Sequence, residues 1–417
     1  MLPRESPLSL SSSRPLTTRF VDTWASVHFD LLRGVAALLV LIEHLRNLYF
    51  IDFPDVTVYR RWMFLPYALS GAGHPAVILF FVLSGYFIGG TVLRAMERSQ
   101  WSWKDYLLKR FVRLWIVLIP ALLLCLAWDT LGMHLGHAPL LYAGQDHNHM
   151  IGHVAEALAP HVFFSNLFFL QGILTTMYGT DGALWSLAYE FWYYLLFPLA
   201  LVTVWPRTVL WRRLLCGVLL VAVAWLVREP ILFSFPIWLA GVALFKVDGP
   251  SLSPVNGRRI RIIATLVYFP IFFLLGHYPA NHLVDDYLLT IATLLYLWLL
   301  KSDKDRYSPG AWGVRGSREM ARFSFTLYAS HTPFLVLLAS LVIGDTRWHP
   351  SGLTFFYGAI LMIVVLLYAY LLALMTEFRT DAVRMRLERW LGMRVVAPAL
   401  PSNPLADAPP GGGSNQA

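Results

Sequence analysis

Ten apolar segments recur along this chain of 417 residues, and most are long enough to cross a bilayer. A membrane span needs about 20 predominantly apolar residues when it is helical. Inside hydrocarbon, backbone N–H and C=O groups must be satisfied within the segment, which favours helices. The sequence therefore predicts an all-α polytopic membrane protein with about ten transmembrane helices, at residues 30–50, 74–93, 112–131, 184–204, 209–227, 231–246, 259–277, 284–300, 323–344 and 354–376.

The composition supports this class. Hydrophobic residues make up 57% of the chain and charged residues only 14%, well below the quarter that is usual for soluble domains. The net charge of +8 is interpreted as membrane topology, so the expected partner is the lipid bilayer and not a nucleic acid.

The loop charges predict the orientation of the spans. Lys and Arg collect in the N-terminal tail and after the even-numbered spans, whereas the stretch from Gly132 to Ala183 contains neither. Because Lys and Arg favour cytoplasmic loops, both termini are predicted to be cytoplasmic and that stretch extracytoplasmic. The first span is expected to be an uncleaved anchor, since no signal-peptide cleavage pattern precedes it. We expect a multi-pass protein of the cell (inner or plasma) membrane.

The predicted organisation has three parts. Residues 1–27 form a cytoplasmic tail, residues 28–376 the transmembrane domain, and residues 377–417 a basic and then disordered cytoplasmic tail that ends in Pro, Gly and Ser. Cys125 and Cys216 both fall in predicted spans, where they indicate neither a disulfide framework nor a metal site. His149 and His153 have the i,i+4 spacing of metal ligands but lack an HExxH motif, so no metal is predicted.

Arg33 and His44 lie in the first span, eleven residues apart. Ionisable groups at membrane depth are expensive and by default indicate function. At about 100° and 1.5 Å per residue, the two side chains share one helix face and lie roughly 16 Å apart along it. They are predicted to line one wall of a polar passage. Glu190, a lone carboxylate at a similar depth in the fourth span, is predicted to be a neighbour of His44.

Other ionisable or small residues have two interpretations each. Arg110 and Arg113 lie on one face of the third span, where they bind either phosphates or lipid headgroups. Ser84 belongs to a group of small residues typical of helix packing, with nucleophilic catalysis as the minor alternative. His331, next to Pro333, is either a structural histidine or an active-site residue. Glu43 is expected to pair with Arg46, one turn away.

Six fragments in order resemble the acyltransferase 3 family of integral membrane O-acyltransferases over residues 28–376. They are RGVAALLVLIEH, FFVLSGYFI, KRFVRLW, NLFFLQG, WSLAYEFWYYLLFP and LYASHTPFL. The resemblance implies a ten-span core that transfers an acyl group from cytoplasmic acyl-CoA to a hydroxyl of an extracytoplasmic glycan. It places the essential arginine and histidine of an R-x10-H motif on Arg33 and His44. Glu43 departs from the family pattern, which has an apolar or aromatic residue there.

The resemblance also implies the remaining site residues and the partners. The R-x-x-R motif associated with acyl-CoA falls on Arg110 and Arg113, and the span-four glutamate falls on Glu190; Ser84 and His331 match less diagnostic positions. Acyl-CoA, with acetyl-CoA favoured, is expected as a substrate and no cofactor as permanently bound. The acceptor would be a cell-surface polysaccharide or lipopolysaccharide, and polysaccharide-assembly proteins are the expected protein partners.

These residues suggest one mechanism. Arg110 and Arg113 would hold the phosphates of acyl-CoA, the pantetheine arm would pass Arg33, and His44 would act as general base with Glu190 orienting its ring. Acylation of His44 itself is the alternative. A secondary transporter or flippase of a glycan or lipid intermediate is the rival function, because intramembrane Arg, His and Glu also serve proton coupling. A membrane glycosyltransferase ranks last.

Overall fold

The computed structural model describes residue 20 and residues 23–145, 152–275, 282–307 and 313–393. Within these ranges the chain is helical and contains no β-strand, which confirms the all-α class. Most of the predicted tail 1–27, the candidate metal ligand His149 and the segment 394–417 lie outside the described residues.

The first half of the described chain forms eight α-helices before the fourth predicted span. A π-helix, Gly85–Gly89, joins the third helix to the fourth. The helices are α1 (Trp24–Tyr49), α2 (Arg60–Ser70), α3 (Gly73–Ser84), α4 (Gly90–Glu97), α5 (Trp103–Leu135), α6 (Pro139–Tyr142), α7 (Val154–Ala157) and α8 (Pro160–Leu167).

The second half contains longer helices and a C-terminal segment. A single turn of 3-10 helix, Glu377–Arg379, precedes the last helix. The helices are α9 (Leu184–Val204), α10 (Leu210–Lys246), α11 (Pro254–Leu275), α12 (His282–Leu300), α13 (Val314–Val342), α14 (Gly352–Met375) and α15 (Thr380–Trp390).

Nine helical segments of the described chain are long and apolar enough to cross a membrane, and they coincide with nine of the ten predicted spans. The tenth prediction, 259–277, corresponds to α11. Three arginines in the first half of α11 lower its mean hydropathy, and residues 276–281 fall outside the described ranges. These arginines are Arg258, Arg259 and Arg261.

The centre of the bundle is built around α13, which packs against α1, α5 and α14. In the most apolar stretch of α13, 72% of the residues are buried, compared with 22% in the segment that contains α14. The exposed side chains of the outer helices are apolar, for example Trp225 and Ile363, which are 81% and 65% exposed. The outer helices therefore present the surface that a bilayer would cover.

Helices α3 and α9 run side by side in the same direction. His74 at the start of α3 stacks on Trp185 at the start of α9, with ring centroids 6.3 Å apart. Ser84 at the end of α3 hydrogen-bonds Glu190, further along α9. The ends of α4 and α9 consequently reach the same side of the bundle, which we call the arginine side because it carries Arg33, Arg110 and Arg113.

Helix α10 must fold back on itself. Near its start Arg213 donates to the carbonyl of Thr203, close to the end of α9, and at its end Lys246 pairs with Glu97, the last residue of α4. A straight helix of this length would extend about 55 Å and would place its ends on opposite sides. Pro230 lies between the two ends and interrupts helical hydrogen bonding. The two spans predicted here are therefore two arms of α10.

The second arm of α10 crosses the end of α3 at very short range. A Cβ atom built on Gly85 would lie 1.9 Å from the carbonyl oxygen of Trp238, and one on Gly241 would lie 2.0 Å from that of Val82. Glycine lets two helix backbones approach this closely. The packing interpretation of the small residues after Ser84 agrees with this crossing, which also contains the π-helix.

Candidate active site

Three cavities follow one another through the described part of the bundle. The basic cavity opens on the arginine side and has a volume of about 550 Å³; the middle cavity has about 310 Å³ and the histidine cavity about 290 Å³. Arg33, Arg110 and Arg113 line both the basic and the middle cavity. Tyr328 lines both the middle and the histidine cavity. Shared lining residues thus link the three cavities in a row, with three arginines at one end and His44 at the other.

The structure places the two ionisable residues predicted to share one face of α1 at opposite ends of this row. Arg33 faces the junction of the basic and middle cavities, and His44 lines the histidine cavity at the other end of the row. Both side chains belong to one helix and are separated by three turns, so the helix repeat alone places them on a common face.

His44 is paired with His331. Its Nδ1 atom lies 2.8 Å from Nε2 of His331, and the two rings are stacked at 18°. The other nitrogen of His331, Nδ1, lies 2.9 and 3.0 Å from the carbonyl oxygens of Leu327 and Tyr328 and must carry the proton in order to donate to them. Nε2 of His331 then accepts the Nδ1 proton of His44. The hydrogen-bond network therefore leaves the lone pair of neutral His44 on Nε2.

Glu190 does not orient His44, contrary to the expectation from the sequence. Its Oε1 atom accepts hydrogen bonds from Ser84 at 2.6 Å and from Tyr194 at 2.5 Å, and its side chain lines the middle cavity. The position of a residue along its span predicts its depth in the membrane. It does not predict which faces of two helices pack against each other. The partner of His44 comes instead from α13.

Ser84 belongs to a network in the middle cavity that the sequence did not reveal. Its hydroxyl donates to Glu190 and accepts from Nε1 of Trp238 at 3.1 Å. The chain thus provides a carboxylate next to Ser84, although the two residues are 106 positions apart. Both residues face the same space between the arginines and Tyr328.

Arg113 is held by a buried carboxylate. Its Nη2 atom lies 2.5 Å from Oε1 of Glu377, whose side chain is 1% exposed. The second oxygen of Glu377 accepts from the backbone N–H and the hydroxyl of Thr326 at 3.0 and 2.9 Å. The sequence predicts a cytoplasmic tail that includes Glu377, whereas in the structure this residue joins the last turn after α14 to α5 and α13. A guanidinium held in this way faces a cavity and not the lipid headgroups alone.

The basic cavity has an excess of positive charge. Seven Lys and Arg side chains and three carboxylates line it, a difference of four. Arg110 lies over the rings of Tyr106 and Tyr194, with its Nε atom buried and without a hydrogen-bond partner. A buried, unsatisfied guanidinium N–H at the edge of a basic cavity is suited to an anionic ligand. The lining cations are Arg33, Lys109, Arg110, Arg113, Arg318, Arg322 and Arg384.

The histidine cavity has a different lining. Glu43, His44, His74 and Trp185 contribute to it, and it contains no Lys or Arg. His74 is bound through Nε2 to Asp286 of α12 at 2.7 Å. Glu43 accepts a hydrogen bond from the backbone N–H of Gly73. The sequence predicted a pairing of Glu43 with Arg46 and did not predict this contact. An aromatic ring beside carboxylate and imidazole groups is suited to a polar, uncharged ligand.

Candidate metal ligands do not cluster among the residues that the structure describes: no group of three or more His, Cys, Asp or Glu side chains is arranged to hold an ion. The side chains that line the three cavities carry imidazole, carboxylate, hydroxyl and guanidinium groups.

The described helices form a polytopic membrane protein with ionisable side chains along an internal row of cavities, and the family comparison defines its class as a membrane acyltransferase. The chain is a member of the acyltransferase 3 family, because the model of that family's acyltransferase domain matches residues 27–374. The enzyme class predicted from the sequence, an acyltransferase, is thereby confirmed. No curated protein and no solved structure gives a significant match.

Proposed function

We propose that this protein transfers an acyl group, with acetyl favoured, from cytoplasmic acyl-CoA to a hydroxyl of an extracytoplasmic glycan. The single observation that carries the proposal is the row of three cavities, in which a basic end suited to phosphates leads to the base-bearing ring of His44. An enzyme that joins a phosphate-bearing donor to an acceptor on the other side of a membrane requires such a passage.

The donor would occupy the basic and middle cavities. Its phosphates would bind where Arg33, Arg110 and Arg113 meet, since arginine is suited to grip phosphate through paired N–H donors. The pantetheine arm would extend through the middle cavity, where the carboxylate of Glu190 can accept hydrogen bonds from amide N–H groups. In this proposal Glu190 binds the donor and does not touch the base.

His44 would act as the general base. Its Nε2 atom would remove the proton of the acceptor hydroxyl while that oxygen attacks the thioester carbonyl. The C–S bond then breaks, and the thiolate leaves with the proton that His44 has gained. His331 would hold the ring in this tautomer and would accept from the Nδ1–H of the imidazolium, a role that a carboxylate has in hydrolase triads.

The acceptor would enter the histidine cavity. Trp185 offers a flat apolar surface, and Glu43 and the His74–Asp286 pair offer polar contacts for hydroxyl groups. A cell-surface polysaccharide or lipopolysaccharide provides such hydroxyls. We place the histidine end on the extracytoplasmic face of a cell (inner) membrane because the predicted cytoplasmic loops carry the Lys and Arg residues.

The experiment that tests the function compares cells that lack this protein with cells restored by the native chain or by His44→Ala. O-acyl esters on envelope and secreted glycans would be measured in each. Loss of one ester, restored by the native chain only, is the expected result and identifies the acceptor. Restoration by correctly inserted His44→Ala would contradict the role of His44.

The direct and covalent routes differ in one measurable quantity. Purified protein mixed with acyl-CoA and no acceptor should release no free thiol beyond slow hydrolysis if transfer is direct. Release of about one equivalent of thiol per protein, with the acyl group retained on the chain, would indicate an acyl-enzyme intermediate instead. His44→Ala in the same assay identifies whether any retained acyl group requires this histidine.

A further inference from the structure

The segment that follows the last span helps to form the basic cavity. Glu377, Phe378, Thr380, Asp381 and Arg384 line this cavity, although the family domain matches only as far as residue 374. Their contribution therefore lies outside the part of the chain that the family defines.

The segment is docked and not loosely attached. Glu377 links it to α5 and α13 through Arg113 and Thr326. The ring of Phe378 lies 4.0 Å from the guanidinium carbon of Arg322, which projects from α13. Helix α15 also packs against α5. A side chain on α15 consequently has a fixed place at the edge of the cavity.

Arg384 projects from α15 into this edge. Its Nη2 atom lies 3.3 Å from Asp381, its Nε atom lies 3.5 Å from Glu388, and its side chain is 18% exposed. Its Nε atom is buried and faces Oε1 of Glu388. Two carboxylates on its own helix thus orient the guanidinium, and the side chain lines the basic cavity.

The order of the cavities assigns a part of the donor to this position. In coenzyme A the pyrophosphate lies nearer the thioester, and the ribose 3′-phosphate lies at the far end. If the pyrophosphate meets the arginines that the basic and middle cavities share, the 3′-phosphate reaches the cations that line the basic cavity alone. These cations are Lys109, Arg318, Arg322 and Arg384.

We propose that Arg384, on the helix after the last span, recognises the 3′-phosphate of coenzyme A and makes the enzyme discriminate against donors without it. This inference rests on the proposed use of acyl-CoA. Arg384 is a binding residue for the donor and takes no part in the proton transfer at His44.

The test measures binding of coenzyme A and of dephospho-coenzyme A to the purified full-length chain. The native protein should bind coenzyme A about tenfold or more tightly than dephospho-coenzyme A, as expected for a charge-assisted hydrogen bond. Arg384→Gln should remove most of this preference by weakening coenzyme A alone. Arg384→Lys should restore part of it, and Arg386→Gln, at an exposed position of the same helix, should leave it unchanged.

The outcomes separate the inference from the function. Equal binding of both ligands to the native protein would overturn the inference and leave the acyl-CoA donor intact. Equal weakening of both ligands by Arg384→Gln would also overturn it, because the effect would then not be specific to the 3′-phosphate. If the native protein binds neither ligand, the proposed donor itself is contradicted.

Discussion

His44 and His331 form a hydrogen-bonded pair in which Nδ1 of the first ring lies 2.8 Å from Nε2 of the second. The backbone carbonyls of Leu327 and Tyr328 orient the second ring. The chain of donors and acceptors runs from the backbone of α13 to the cavity, so α13 fixes which nitrogen of His44 can take a proton.

Replacing His331 by Ala should reduce kcat by about 10²–10⁴-fold, the usual range for loss of general-base assistance, because His44 loses the partner that selects its tautomer. Binding of acyl-CoA should change little, since His331 does not line the basic or middle cavity. Steady-state kinetics and donor binding measure the two effects. His134→Ala, at an exposed position near the end of α5, is the control. A KM effect without a kcat effect would argue against the pairing role.

Arg113 and Glu377 should contribute to stability through their ion pair. Glu377→Gln keeps an acceptor for Thr326 but leaves a guanidinium without its counter-charge. Because Arg113 is 32% exposed, we expect a loss of about 1–3 kcal/mol, below the value for a fully buried pair. Thermal unfolding in detergent measures it. Glu319→Gln, in a pair whose members are 54% and 44% exposed, should have almost no effect.

A double-mutant cycle checks the cause of that loss. If Arg113→Gln and Glu377→Gln destabilise independently, their effects add and the ion pair is not the reason. If the pair is responsible, the double variant should lose less than the sum of the two single variants.

The sequence predicted the structural features that depend on a single helix. The spans and the shared face of Arg33 and His44 follow from hydrophobicity and from the helix repeat, which are local properties. The sequence did not predict that His331 and not Glu190 contacts His44. Residues 287 positions apart meet only because α1 and α13 pack together, and one sequence carries no signal of that packing.

The role of the C-terminal segment was missed for a related reason. Residues 377–390 alternate acidic and basic side chains, a pattern typical of a solvated helix. Glu377 and Glu388 are nevertheless each only 4% exposed. Arg113 of α5 compensates the charge of Glu377, and Arg384 of α15 compensates that of Glu388. Charge patterning predicts a helix surface but does not predict which neighbouring surface covers it.

Asp181, in the loop before α9, should make stability depend on pH. Its side chain is fully buried and neither oxygen has a hydrogen-bond partner. Burial, and then the negative charge of Asp129, raise the pKa of Asp181 well above its usual range. The folded state therefore binds the proton more tightly than the unfolded state, so this carboxyl lowers stability progressively as pH rises from about 4, its unfolded pKa.

Asp181→Asn should remove this pH dependence and increase the free energy of unfolding by about 1 kcal/mol or more near pH 7.5. Unfolding midpoints of the native and variant proteins between about pH 5 and pH 8 measure the slope. Asp55→Asn, at an exposed position, serves as the control for a change of net charge. Parallel curves for the native protein and Asp181→Asn would show that the buried carboxyl is not titrating differently in the folded state.

The crossing of α3 and α10 should not tolerate a methyl group at Gly85. A Cβ atom there would lie 1.9 Å from the carbonyl oxygen of Trp238, and backbone atoms cannot move aside as a flexible side chain can. Gly85→Ala should cost about 1–3 kcal/mol and lower activity, because Trp238 also hydrogen-bonds Ser84 in the middle cavity. Gly316→Ala, in α13, meets nothing within 4 Å and should instead stabilise by up to about 1 kcal/mol. Thermal unfolding and turnover of both variants, measured together, distinguish a steric effect at the crossing from a general sensitivity to added methyl groups.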